Sequence, residues 1–147
     1  MLLLGMKNTA SQTVLANGTI TLGSVYRRYC KRTCAGLPTF AANGNSITLN
    51  GEGIYHITAK IVGSGTAAGV LTAQMTANGE AVAGAFASET ITTADTELRT
   101  LVIDEYVMVD KTCVLGNSSV VSKTIAFLNS GVASTLTSVV VNIDKVV

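Results

Sequence analysis

Over residues 55–62 the apolar residues Tyr55, Ile57, Ala59 and Ile61 alternate with the polar residues His56, Thr58 and Lys60. A two-residue period places one set on a buried face and the other toward solvent, as in a half-buried β-strand. A glycine-rich gap separates this segment from two further stretches that meet at Asn78 and Gly79. An Asn-Gly pair tolerates the positive backbone dihedrals of a tight hairpin. The centre of the chain, residues 46–88, is therefore predicted to be a strand followed by a hairpin.

The flanking segments read as further strands. Residues 1–12 show no strong period and end in small polar side chains, which predicts an extended arm or a disordered tip. A second Asn-Gly pair, Asn17-Gly18, marks a hairpin or turn. Leu37, Pro38, Thr39 and Phe40 lead through a turn-rich link into the central strand. Residues 97–103 are a strand candidate that loses phase at Asp104 and Glu105, where a turn or bulge would restore the pattern before Tyr106 and Val109. Residues 111–115 extend that region, residues 116–118 break it, and residues 120–128 form the next strand. Asn129, Ser130 and Gly131 form another turn. In the last strand, residues 134–147, Val139, Val141 and Ile143 share one face while Val140, Asn142, Asp144 and Val146 share the other. Apolar residues on both faces predict that this strand is covered twice. Only residues 93–109 compete as a helix, and their β-branched and aromatic content favours extended structure. Many short strands with no helical pattern between them predict an all-β protein, an antiparallel two-sheet jelly-roll sandwich. The expected layout is an N-terminal arm over residues 1–12 and one jelly-roll domain over residues 13–147.

Composition narrows the setting. The chain has 147 residues, enough for one core without metals or disulfides, and only 13% of them are charged. So little charge suits a surface partly covered by other subunits. The net charge of +1 gives no global attraction to nucleic acid or to acidic membranes. The apolar start, Met1 to Met6, lacks a basic leader and meets Lys7 at once, and no apolar run is long enough to span a bilayer. The protein is thus expected to fold where it is made, and Cys30, Cys34 and Cys113 are expected as thiols.

Four groups of residues are candidates for chemistry. Cys30, Cys34, Cys113 and His56 could together supply a tetrahedral zinc set, but their spacing is unlike that of dedicated sites and buried thiols are the preferred reading. A disulfide between Cys30 and Cys113 ranks above zinc and below free thiols. Arg27, Arg28, Lys31 and Arg32 place four of the ten basic residues within six positions. They read either as a docking patch for an acidic protein surface or as a solvated turn. Tyr26 and Tyr29 are the only aromatics nearby, which disfavours nucleic acid. Asp104, Glu105 and Asp110 lack the regular spacing of a calcium loop and read as a solvated turn. A catalytic nucleophile needs a base, His56 is the only histidine, and no Gly-x-Ser-x-Gly elbow is present. No enzyme activity, cofactor or resident metal is expected.

Two resemblances add to this reading. Gly53-Ile54-Tyr55, the strand closing on Asn78-Gly79, residues 97–109 and residues 136–143 together resemble, in order, the jelly-roll superfamily of the tumour-necrosis factors and complement globular heads. Asn8-Thr9-Ala10, Gly18-Thr19-Ile20, residues 27–34 and residues 44–49 resemble small structural proteins of tailed phages and prophages of Gram-positive bacteria. The first resemblance implies a homotrimer whose flat strand faces pack about a threefold axis. The second implies a virion protein made in the host cytoplasm and docked on the capsid or another virion protein, decorating the head or forming a short head fibre. The alternative is a receptor- or carbohydrate-binding knob of the tail or baseplate, with a cell-surface glycan as partner. Neither nucleic acid nor membrane is expected as a partner.

Overall fold

The computed structural model describes residues 2–29, 40–114 and 117–147, and among these there is no helix. The strands in chain order are β1 (Leu2–Asn8), β2 (Gln12–Val14), β3 (Ser24–Tyr29), β4 (Phe40–Ala42), β5 (Ser46–Leu49), β6 (Gly53–Gly65) and β7 (Gly69–Ala77). They continue as β8 (Glu80–Ile91), β9 (Arg99–Val109), β10 (Lys111–Val114), β11 (Asn117–Val120), β12 (Lys123–Asn129) and β13 (Ser134–Lys145). One sheet has the order β3-β1-β13-β6-β9, with β2 also paired to β13, and the other has the order β4-β5-β12-β7-β8. Strands β10 and β11 form a separate hairpin, and all pairings are antiparallel.

Alternation within each strand builds the core between the sheets. Tyr55, Ile57, Ala59 and Ile61 of β6 face Leu71, Ala73 and Met75 of β7 and Ile125 and Phe127 of β12 across a common interior. The Phe40 ring meets Tyr55 edge to face, with centroids 5.8 Å apart and planes at 78°. Burying each large side chain of this set stabilises the fold by about 1.5–3 kcal/mol. At the centre, Asn78 and Gly79 both adopt positive φ, 52° and 85°, and close the β7–β8 hairpin from Ala77 to Glu80. That is the two-residue turn predicted from the Asn-Gly pair.

Two local expectations are corrected and a third is narrowed to one of its alternatives. Residues 2–8 are extended, but they form β1 inside the first sheet, between β3 and β13, and not an arm or disordered tip ahead of it. Leu4 and Met6 are fully buried, so the short alternation at the N-terminus is a core pattern too brief to register as a period. The phase loss at Asp104 and Glu105 is not a bulge. Strand β9 keeps one register against β6 from Arg99 to Val109, with Leu101, Ile103, Val107 and Val109 buried. Glu105 takes the inward position opposite Ile57, which the edge of the sheet tolerates by leaving the side chain half-buried. Asn17-Gly18 is a turn, with φ 63° at Asn17, but not a hairpin, because the chain changes sheet there. Strand β2 pairs with β13, whereas Thr19 bridges Leu128 on the opposite sheet.

Two devices hold irregular places. Strand β8 bulges over residues 82–85, where Gly84 has φ 80°, and the side-chain amide of Gln74 fills the gap. Its Nε2 donates toward the carbonyls of Met75, Val82 and Ala85 at 2.8, 2.9 and 3.2 Å. In β12, opposite Ala73, the amide of Asn129, 1% exposed, donates to the carbonyls of Val14 and Val132 and to Ser134 Oγ. Asn129 Oδ1 accepts the Gly131 N–H. This one side chain ties β2, the β12–β13 turn and the start of β13 together.

Candidate interaction face

The inward residues of β1, β13, β6 and β9 leave their alternates on the outer face of the first sheet, and the register fixes their neighbours. One row across the face runs Leu3, Asp144, His56, Tyr106; the next runs Gly5, Asn142, Thr58, Asp104; a third runs Lys7, Val140, Lys60, Val102. Beyond the first row, Ile54 lies opposite Met108. Val102, Tyr106 and Met108 are each more than half exposed, and Ile54 is over a third exposed. Ile54, Tyr106 and Met108 thus form a solvent-facing apolar patch on neighbouring strands, which Asp104 separates from Val102.

Polar groups along this face are held in fixed positions. His56 Nε2 lies 2.7 Å from Asp104 Oδ1, and its ring stacks on Tyr106 at 4.7 Å between centroids and 23° between planes. At the other side of the face, the Tyr26 ring lies over Gly5, where a Cβ would fall 2.8 Å from the ring. The Tyr26 hydroxyl donates to Asn142 Oδ1 at 2.6 Å. Lys7 Nζ and Arg27 Cζ approach the same ring to 5.4 and 5.8 Å, within cation–π range.

The sequence-derived candidates fall in different places. Arg27 projects onto the outer face beside Tyr26, but Arg28 turns to the opposite side of β3, where its Nη2 donates to the Phe40 carbonyl at 2.6 Å. Arg28 therefore joins the edges of the two sheets and is not part of the patch around Arg27. Lys31 and Arg32 lie outside the described residues, as do Cys30 and Cys34. Of the remaining zinc candidates, Cys113 belongs to β10 opposite Ser118, and His56 sits in β6 bound to Asp104. Among the described residues no three His, Cys, Asp or Glu side chains are grouped to hold a metal ion. The acidic trio is likewise dispersed: Asp104 engages His56, and Glu105 Oε1 accepts the N–H of Tyr106. No serine or cysteine among the described residues hydrogen-bonds to His56.

The end of the sandwich opposite the Tyr106 row carries a different carboxylate. Glu97 accepts the N–H groups of Thr92 and Thr93, which hold its carboxyl below the usual glutamate range, with lesser help from the Thr92 hydroxyl and Arg99. This anchors the β8–β9 loop and serves structure. Sequence reasoning did not single out Lys7, Tyr106, Met108 or Asn142. Parity within β9 and β13 was the available signal, but which parity faces solvent depends on where the second sheet packs.

Neither a protein-family model nor a curated protein sequence matches the chain. Solved structures do. The globular domain of zebrafish complement 1qA superposes with a TM-score of 0.61 at 8% identity, covering 100% of this chain and 98% of that one. Murine APRIL at pH 5.0 gives 0.60 at 8% identity, over 97% and 98% of the two chains, and Eiger TNF from S. frugiperda gives 0.59 at 8%, over 99% and 91%. The fold is a jelly roll of the tumour-necrosis-factor and complement type. At this identity the likeness extends to the jelly roll alone, and side chains must be read from this chain.

Proposed function

We propose that this chain is a non-enzymatic structural protein of a tailed bacteriophage particle, a jelly-roll knob that assembles as a homotrimer through the outer face of its first sheet. The observation that carries the assembly is the patch of Ile54, Tyr106 and Met108, exposed on the outer face of the first sheet in a chain of which only 13% is charged. Contiguous exposed apolar side chains of this kind mark protein contacts. Threefold packing of such faces is what the resemblance to the superfamily implies. The virion setting rests on the resemblance of the N-terminal third to phage and prophage structural proteins, and within it the proposed role is head decoration or a short head fibre.

All seven aromatic residues lie on strands, so no aromatic cluster in a loop favours the alternative of a glycan-binding knob. Sedimentation of the recombinant chain is expected to give three copies per particle, and imaging of purified virions is expected to show the knob in symmetric copies. A stable monomer overturns the assembly. Glycan binding by the isolated protein, together with its absence from heads, reverses the ranking of the two roles.

A further inference from the structure

At its β1–β3 edge, the outer face of the first sheet gathers hydrogen-bond donors around one aromatic ring. The register of β1 against β3 shifts between Gly5 and Met6, which leaves Tyr26 as the extra residue of a bulge. Its ring lies over Gly5, where a Cβ would fall 2.8 Å away, and its hydroxyl donates to Asn142 Oδ1 at 2.6 Å. The ring is therefore fixed from three sides of the sequence. Two cations on neighbouring strands use it as a platform, with Lys7 Nζ 5.4 Å and Arg27 Cζ 5.8 Å from its centroid. Because Asn142 Oδ1 accepts the Tyr26 hydroxyl, the orientation of that amide is set, and its Nδ2 remains as a donor with no acceptor among the described residues.

The chain does not supply the anion for these donors. All 9 Asp and Glu residues lie among the described residues, where the ion pairs are His56–Asp104, Arg99–Glu97 and Lys111–Glu52. Asp144 stands on the same face one row from Asn142, and Asp104 two strands away in the Asn142 row, yet neither pairs with Lys7 or Arg27. An exposed cation is ordinarily solvated and free to change rotamer. Here the aromatic platform restrains both side chains, so less freedom is lost when an anion arrives.

We infer that this edge is a binding site for a phosphate group, with Arg27, Lys7 and Asn142 Nδ2 donating to its oxygens. The donors come from three strands, β3, β1 and β13, which suits the several oxygens of a tetrahedral anion better than the two of a carboxylate. The guanidinium offers a fork that matches two phosphate oxygens, and the ammonium adds a point charge. Gly5 and Tyr26 position these groups and do not themselves bind. The site lies across the sheet from Tyr106 and Met108, so it goes beyond the proposed self-assembly and does not depend on it.

The test titrates inorganic phosphate and glycerol 3-phosphate into the whole chain, read by isothermal calorimetry at one low ionic strength. Saturable binding of at least one probe is expected. Lys7→Gln and Arg27→Gln are each expected to weaken it at least about tenfold, the worth of one hydrogen bond to a charged group. Tyr26→Phe keeps the ring but releases the Asn142 amide, and is expected to weaken binding as well. Lys111→Gln removes the same charge from a lysine paired with Glu52 and is expected to leave the affinity unchanged. Circular dichroism verifies the folding of each variant, and any one of the three site variants that folds suffices. Tighter binding of glycerol 3-phosphate assigns the site to a phosphate ester, and equal or tighter binding of inorganic phosphate assigns it to the free ion. The inference is overturned if neither probe binds saturably, if acetate binds as tightly as the probes, or if Lys111→Gln weakens binding as much as Arg27→Gln does.

Discussion

Removing the amide of Asn129 tests whether one buried side chain holds the junction of β2, β12 and β13. Its Nδ2 lies 3.0 Å from the Val14 carbonyl, 2.8 Å from the Val132 carbonyl and 3.2 Å from Ser134 Oγ, in a site 1% exposed. Asn129→Ala leaves two buried carbonyls short of a donor and opens a small cavity. At about 1–3 kcal/mol for an unsatisfied buried group, the expected loss is about 2–4 kcal/mol. Asn129→Asp keeps the shape and the acceptor for Gly131 but aims a carboxylate at oxygens, so at neutral pH it should be worse than alanine. Burial among acceptors would raise that carboxyl above its unfolded value. Stability of the aspartate variant is then greatest below the unfolded pKa and is lost as pH rises through the folded one. Urea unfolding at pH 5 and pH 7, at one fixed protein concentration, measures all three proteins. An alanine variant within about 0.5 kcal/mol of wild type, the range of a neutral surface change, would refute the reasoning. So would an aspartate variant more stable than alanine at pH 7.

Deleting residues 1–8 should abolish cooperative folding, because Leu4 and Met6 are fully buried and β1 joins β3 to β13; a folded truncated protein, detected by circular dichroism and thermal melting, would restore the arm reading. Gln74→Leu should cost about 1–3 kcal/mol in urea unfolding, since the carbonyls of Val82 and Ala85 in the β8 bulge lose their shared donor. Burial pushes the Tyr55 hydroxyl up to about 12, so the folded state favours the protonated form. The associated stability is present below the ordinary tyrosine value near 10 and is lost as pH rises toward 12; Tyr55→Phe should flatten the alkaline limb of a stability–pH profile.

The central strands were legible because their signals are local. Alternation from Tyr55 to Ile61 and the Asn78-Gly79 turn depend on residues adjacent in the chain, and both appear where the pattern put them. The N-terminal segment was not legible, since Leu4 and Met6 give only a single repeat of the strand period, too little to separate a core strand from an arm. Glu105 misled for a related reason: an inward position at a sheet edge accepts a carboxylate that a central strand would reject. Arg27 and Arg28 are neighbours in sequence, yet successive side chains of a strand point to opposite faces, so a cluster of charge in the sequence became a face residue and an intersheet tie.

By itself, the sequence determined the class of structure: two-residue periodicity, β-branched strands and Asn-Gly turns leave no helix to form and demand two apolar faces in contact. The tertiary structure decided which residues meet. His56, Asp104 and Tyr106 come together from β6 and β9, and Lys7 and Arg27 converge on Tyr26 from β1 and β3, because antiparallel register brings distant segments side by side. No local pattern encodes that register. It is set by the packing of the whole sandwich, which turns one parity of each strand inward and leaves the other as a surface.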